Sequence, residues 1–88
     1  MATIQPTDVI AEVSTKVFLE CVADGYRPET FKYQWIFNGS KLLNASNEML
    51  LLTAVSEDQS GMYECIVTNY LNLTANSAPA QLTVTSKW

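Results

Sequence analysis

The sequence predicts an all-β fold, on three observations. Short segments rich in strand-forming residues recur along the chain, with turn residues between them. Several of these segments alternate apolar and polar residues, which is the pattern of a half-buried strand. No segment shows a sustained helical period, and the chain contains no internal repeat or low-complexity tract. Because 88 residues leave no room for a second core, residues 1–88 are predicted to form a single domain.

The first half of the chain begins with a divided edge segment and a well-defined inner strand. Pro6 splits the edge segment into residues 3–5 and 9–13, because proline cannot donate a hydrogen bond to a sheet. Residues 17–23 alternate, so that an inward Cys21 places every second neighbour in the core. By this alternation Val17, Leu19 and Ala23 point inward, whereas Phe18, Glu20 and Val22 point outward.

A loop with Gly25 and Pro28 separates this strand from the next one. The next strand is predicted over residues 32–37, with Tyr33, Trp35 and Phe37 on its core side. The dipeptide Asn38-Gly39 is the strongest turn signal in the chain. A short strand at residues 41–43 is expected after it.

The second half of the chain supplies three further strands. Residues 50–55 have the spacing L-x-L-x-x-V, which predicts that Leu50, Leu52 and Val55 lie in the core. Residues 62–69 form the strand that carries Cys65, with Tyr63 and Val67 inward. Residues 70–77 are a polar connection, and residues 80–85 alternate as the last strand.

The two cysteines bracket Trp35, and the second closes the run Asp58-Gln59-Ser60-Gly61-Met62-Tyr63-Glu64-Cys65. This pattern resembles that of the immunoglobulin superfamily, from about Pro6 to Thr85. The interval of 30 residues from Trp35 to Cys65 is typical of the constant-type or C2 arrangement, since variable-type domains insert two more strands there, and we expect a domain of C2 or intermediate type. Residues 33–42, 63–69 and 76–79 are similar to the C2-type domains of carcinoembryonic-antigen-related adhesion molecules.

The resemblance implies a two-sheet Greek-key sandwich of about seven strands, with its core at about residues 6–85. It also implies a disulfide from Cys21 to Cys65 between the sheets, with Trp35 packed against it. The hydroxyl of Tyr63 is expected to return to the backbone near Glu57 or Asp58. The residues expected to be structural are Trp35, Tyr63, Asp58 and Leu52.

A disulfide persists only in an oxidising compartment, which points outside the cell. The alternative is two buried free thiols in an intracellular structural domain of the muscle-filament kind. Three sequons, at Asn38, Asn44 and Asn72, favour the extracellular alternative because each could accept a glycan. No secretory signal precedes the domain, so we interpret the chain as a module excised from a larger multidomain protein.

Composition argues against several classes of function. The chain has no histidine, the commonest general base and metal ligand, so neither catalysis nor a metal or cofactor site is expected. Glu57 and Asp58 are adjacent acids, but they lie where the corner motif needs a turn, so we expect them to have a structural role and not an acid–base one. The net charge of −4 and five scattered basic residues argue against nucleic acid as a partner. No apolar run is long enough to insert into a membrane.

The expected function is protein–protein recognition, or spacing within a tandem array of similar domains. The expected partners are a protein ligand, neighbouring immunoglobulin-like domains or a second copy of the chain. Outward residues on neighbouring strands and the adjacent loop form the predicted partner face: Gln34, Ile36, Ile66, Thr68 and Tyr70. Tyr70 and Leu71 begin the loop before the last strand, where they could contact a partner or a neighbouring domain in tandem. A second outward set lies on the opposite sheet: Phe18, Val22, Met49 and Leu51.

Overall fold

A computed structural model describes residues 2–4, 6–25, 27–43 and 45–86. The strands, in chain order, are β1 (Ala2–Ile4), β2 (Val9–Glu12), β3 (Val17–Glu20), β4 (Val22–Ala23), β5 (Lys32–Phe37), β6 (Ser40–Lys41), β7 (Met49–Leu52), β8 (Gly61–Thr68), β9 (Thr74–Asn76) and β10 (Ala80–Thr85). Two short 3-10 turns, Pro28–Thr30 and Glu57–Gln59, lie in the connections. No helix among the described residues is long and apolar enough to cross a membrane.

The strands form two layers. The larger has the order β2-β10-β8-β5-β6, with β9 also paired to β8. Within it β2 runs parallel to β10, and the other pairs are antiparallel. The smaller layer consists of β1 on β4 and β7 on β3, and only Cys21 separates β3 from β4. The predicted two-sheet sandwich is confirmed.

The described residues form ten strand segments where seven strands were predicted, because two predicted strands are divided and one further segment forms in a predicted connection. Pro6 lies between β1 and β2, so that β1 joins the smaller layer and β2 the larger one. Cys21 interrupts the second predicted strand. The third additional segment, β9, lies within residues 70–77, so the expectation that this whole stretch is a connection is wrong: residues 74–76 pair with residues 66–68 of β8. The other differences from prediction are small: β6 begins at Ser40, and β7 ends at Leu52 where the chain bends away.

The core lies between the layers and is crossed by the Cys21–Cys65 disulfide, whose Cα atoms are 6.6 Å apart. Trp35 is fully buried beside it, and its indole N–H donates a hydrogen bond of 2.8 Å to the Asn47 carbonyl. The predicted inward residues of β3, β4 and β8 are buried, whereas Leu52 is half-buried and packs against the core from its edge. The pattern therefore identified the core.

Ser77 bridges the break between β9 and β10. Its hydroxyl accepts a hydrogen bond of 2.9 Å from the Cys65 N–H, and its own N–H donates one of 2.8 Å to the Cys65 carbonyl. The hydroxyl also donates to the Ala78 carbonyl. Ser77 thus satisfies the backbone of the buried cysteine where the regular ladder stops. Sequence patterning did not single it out.

The turn before β8 is closed by the phenol of Tyr63, which donates a hydrogen bond of 2.7 Å to the Gln59 carbonyl. The acceptor therefore lies one residue beyond the predicted position, because the 3-10 turn Glu57–Gln59 directs its last carbonyl at the ring. Asp58 is exposed and accepts a hydrogen bond from the Ser56 hydroxyl. Burial of the phenol, and secondly the negative charge of Asp58, raise the pKa of Tyr63 above 10.0.

Candidate functional site

The predicted partner face on the larger sheet is mostly covered. Ile36 is only 6% exposed, so the expectation that it faces solvent is wrong. Ile66 and Thr68 are half-buried. The side-chain amide of Gln34 donates hydrogen bonds of 2.9 Å to the carbonyls of Trp35 and Leu42, so it is already engaged within the domain.

Cross-strand pairing explains why Ile36 is buried although it points away from the core. It lies directly opposite Lys41 of β6 on one side and Glu64 of β8 on the other. Residues directly opposite each other in a sheet share one face. The aliphatic stems of these two long side chains therefore flank Ile36 and can shield it from water.

An apolar groove opens instead at one end of the sandwich, and we call it the loop-end groove. Its volume is about 320 Å³, and it lies between the loop that joins β8 to β9 and the loop that precedes β5. Tyr70, Leu71 and Leu73 line it and are 45%, 60% and 64% exposed. Half-buried Phe31 lines its opposite side. This groove is the largest concentration of accessible apolar side chains in the loops that the structure describes.

Asn69 shapes the loop between β8 and β9. Its side-chain oxygen accepts hydrogen bonds from the N–H groups of Leu71 at 2.9 Å and Leu73 at 3.0 Å. Its own N–H donates to the Leu73 carbonyl, and its carbonyl accepts from the Asn72 N–H. Since the polar groups of the loop are satisfied internally, the leucine side chains are free to face the groove and solvent.

The facing wall is ordered by the 3-10 turn Pro28–Thr30. The N–H groups of Thr30 and Phe31 donate to the carbonyls of Arg27 and Pro28. The guanidinium of Arg27 lies 5.9 Å from the centre of the Tyr70 ring, and its Nε is 3.9 Å from the Glu29 carboxylate. Contact with an aromatic ring at this distance is a weak cation–π interaction. It joins the two loops across the rim of the groove.

Sequence reasoning identified Tyr70 and Leu71 of this groove and missed Leu73 and Phe31. Residues 70–77 were interpreted as a polar connection, although they contain two leucines. An apolar residue inside an otherwise polar turn was the signal that could have identified Leu73. Phe31 could not be placed from sequence, because its position depends on how the preceding turn folds.

The sequons differ in their surroundings. The Asn38 side-chain oxygen accepts a hydrogen bond of 2.9 Å from the Met62 N–H, so this residue has a structural role at the turn. Asn72 is exposed, with a φ of 64°, at the tip of the loop beside the groove. Asn44 lies outside the described residues. The predicted glycosylation of all three stays a prediction.

The second outward set, on the smaller layer, is largely exposed. Phe18 is 54% exposed, Met49 46% and Leu51 45%. Val22 is half-buried. Among the described residues, no group of three or more cysteines, aspartates or glutamates could hold a metal ion.

The sequence and fold relate the chain to known proteins. The family model for the immunoglobulin domain matches residues 2–69. The chain is 39% identical to the human netrin receptor DCC over 87 residues, which cover 91% of this chain and 6% of that protein. It is 41% identical to the human cell adhesion molecule CEACAM18 over 61 residues, covering 69% of this chain and 15% of that protein. The chain therefore belongs to the immunoglobulin domain family.

Solved structures share the fold. A chimeric titin Z1Z2 has a TM-score of 0.80 at 18% identity, over 99% of this chain and 95% of that chain. This likeness concerns the fold alone. By sequence, the chain is related to a receptor and to an adhesion molecule, and it spans only 6% and 15% of their lengths.

Proposed function

We propose that the chain is an extracellular module of a longer cell-surface protein, and that it binds a protein partner without catalysis through the loop-end groove. The observation that carries the proposal is the exposure of Tyr70, Leu71 and Leu73 around one groove. Large apolar residues that cluster on a surface are a feature of protein interaction sites. Binding sites also concentrate on loops that a rigid scaffold holds in place.

The shape and rim of the groove indicate the kind of partner. Its volume of about 320 Å³ lies near the lower limit of small-molecule pockets, and it is open to solvent. An apolar or aromatic side chain projecting from another protein suits such a groove better than an enclosed ligand does. Arg27 beside Tyr70 and Asp24 in the lining offer charged groups of both signs to polar residues around that side chain.

The disulfide supports the extracellular location, because bonds of this kind persist in oxidising compartments. Relatedness to a netrin receptor and to a cell adhesion molecule supports it as well. The second candidate is an intracellular structural domain of the muscle-filament kind, which the fold likeness to titin favours. That candidate requires neither glycans nor an accessible groove.

The experiment uses the chain secreted from mammalian cells behind an added signal peptide. Mass measurement under non-reducing conditions should show an oxidised Cys21–Cys65 pair and added glycan. Glycan should disappear site by site in Ser40→Ala, Ser46→Ala and Thr74→Ala, which destroy the sequons without changing the asparagines. Free thiols and no glycan would instead support the intracellular candidate.

The same protein, biotinylated and tetramerised on streptavidin, is then applied to a panel of intact cells. We expect staining that protease treatment of the cells removes, and a decrease of about tenfold in Leu71→Asp and Leu73→Asp, as at a binding hot spot. Leu43→Asp is the matched control, since Leu43 is 92% exposed and lies outside the groove. Equal staining by all three variants would show that the loop-end groove is not the binding site. A module that only spaces other domains would stain no cells.

A further inference from the structure

The outer edge of β7 is unprotected. β7 pairs with β3 on one side, and no described strand pairs with its other side. Its sequence, Met49-Leu50-Leu51-Leu52, contains no charge and no proline. Natural proteins usually protect an exposed edge with a charge, a proline, a bulge or a very short strand. The edge strand β6 follows that rule, since it has two residues and ends in Lys41.

The hydrogen-bond pattern shows which backbone groups face the open edge. The Cys21 N–H donates a bond of 2.8 Å to the Glu48 carbonyl, next to the regular pairing of β3 with β7. In an antiparallel ladder, hydrogen-bonded pairs alternate with pairs whose N–H and C=O groups point away. Leu50 and Leu52 therefore direct their backbone groups toward β3. Met49 and Leu51 direct theirs toward the open edge.

Apolar side chains lie beside this edge on the outer face of the layer. Phe18 of β3 stands directly opposite Leu51, and Met49 lies two residues before Leu51 on the same face. Their exposed fractions are 54%, 45% and 46%. We call Phe18, Met49 and Leu51 the edge strip. Open backbone groups and exposed apolar side chains thus occur at one place.

We propose that β7 pairs in antiparallel fashion with β7 of a second copy of this chain. In the register that sets Met49 opposite Leu51 of the other copy, the two outward residues of each copy exchange about four backbone hydrogen bonds. A two-fold axis then passes between the two Leu50 residues, as a closed dimer requires. The two edge strips join into one apolar surface across the axis.

A second copy fits this edge better than an unrelated strand does, because the edge complements itself. The same two residues supply donors and acceptors to each other, and the uncharged strand does not repel its copy. A strand of four residues buries less area than a standard stable complex, so the pairing is weak between free modules. It gains strength when many copies are held on one surface. The inference is independent of the loop-end groove.

Sedimentation equilibrium of the oxidised protein over a concentration range up to about 1 mM tests the pairing, since interfaces of this size are weak. We expect the average mass to rise from monomer toward dimer. Leu51→Lys should weaken association at least about tenfold, because charge protects edge strands. Ile10→Lys is the matched control: Ile10 is 79% exposed on β2, in the other layer, and its variant should associate like the parent.

Cysteine cross-linking tests the register. Met49→Cys and Leu51→Cys proteins, when mixed and mildly oxidised, should join to each other faster than either joins to itself. Cα atoms of a hydrogen-bonded pair are about 5.5 Å apart, within the range of a disulfide. Peptide mapping should show Cys21–Cys65 intact in both proteins. The proposal would be overturned if the parent chain stays monomeric, or if Ile10→Lys disrupts association as much as Leu51→Lys does. Equal cross-linking in all samples would overturn it as well.

Discussion

At the Gly61 end of β8 the chain is held by closely packed contacts, whereas at the Thr68 end it leaves the sheet in a loop with exposed leucines. The first end uses a buried phenol, a 3-10 turn and a glycine packed against Asn38. The second end is held by one asparagine side chain, Asn69, which satisfies the loop from inside. Both ends are hydrogen-bonded, but the second presents more apolar surface to solvent: Tyr70, Leu71 and Leu73 are 45%, 60% and 64% exposed, whereas the first end has Met62 alone, at 41%.

The two ends of the same strand therefore have different roles. At the Gly61 end the Tyr63 ring is buried and Asn38 and Phe37 closely approach Gly61, so substitution there should reduce the free energy of unfolding. Side chains at the Thr68 end are exposed, so substitution there should change binding with little effect on stability. Variants at the two ends can therefore test this contrast when stability and binding are measured separately.

Gly61→Ala should be the most destabilising of these variants. A Cβ at residue 61 would lie 2.6 Å from the Asn38 side-chain oxygen and 2.7 Å from a Phe37 ring carbon, and the backbone φ is 155°. Crowding and an unfavourable φ together should cost about 3 kcal/mol. Urea unfolding of the oxidised protein measures this loss as a lower midpoint at an unchanged slope.

Gly39→Ala separates the two causes. Gly39 also has a positive φ, 85°, but no atom lies within 4 Å of the position of its Cβ. Backbone strain alone should cost about 1 kcal/mol there. If both variants lose equal stability, packing against Asn38 does not contribute and the Gly61 end is held less tightly than the contacts indicate.

Sequence alone predicted the stable end better than the exposed one. The resemblance to the immunoglobulin superfamily implied the positions of Trp35, Tyr63 and the cysteines, and period-two alternation then placed their neighbours along each strand. Ile36 was misplaced because alternation gives the direction of a side chain but not what covers it. Its neighbours Lys41 and Glu64 lie on strands that come next to β5 only in the folded sheet.

The loop-end groove and the open edge of β7 depend on the assembled fold in the same way. Tyr70 and Leu71 could be selected as loop residues, but Phe31 reaches the groove from a turn about forty residues earlier. The exposure of Met49 and Leu51 was expected from alternation. That no described strand covers β7 became apparent only from the strand order.

Tyr63→Phe should cost about 1.5 kcal/mol, less than Gly61→Ala, because it removes the hydrogen bond to the Gln59 carbonyl and keeps the ring. It should also change the response to alkali. Burial raises the pKa of Tyr63 above its ordinary value of 10.0, so the unfolded chain loses this proton first as pH rises. The contribution of the buried Tyr63 phenol to the free energy of unfolding is therefore complete below about pH 10 and declines at higher pH.

Unfolding midpoints measured between neutral pH and about pH 11.5 should decline less steeply for Tyr63→Phe than for the parent, because the variant has no phenol to titrate at this position. Tyr70→Phe also removes one phenol, but from the exposed end of β8, and should retain the parent's slope. Parallel slopes for all three proteins would show that the buried phenol does not limit stability in alkali.

Asn69→Ala should reduce stability by only about 1 kcal/mol, because both lost hydrogen bonds lie in an exposed loop. Its larger effect should be on the shape of the groove, since Leu71 and Leu73 lose the acceptor that positions their backbone. Hydrogen exchange at these two amides should accelerate, while exchange at Cys65 is unchanged. Asn69→Asp is the matched control, because its carboxylate can still accept both bonds and should retain slow exchange. Fast exchange in both variants would show that the loop is held by something other than this acceptor, and the contrast between the two ends of β8 would then need another cause.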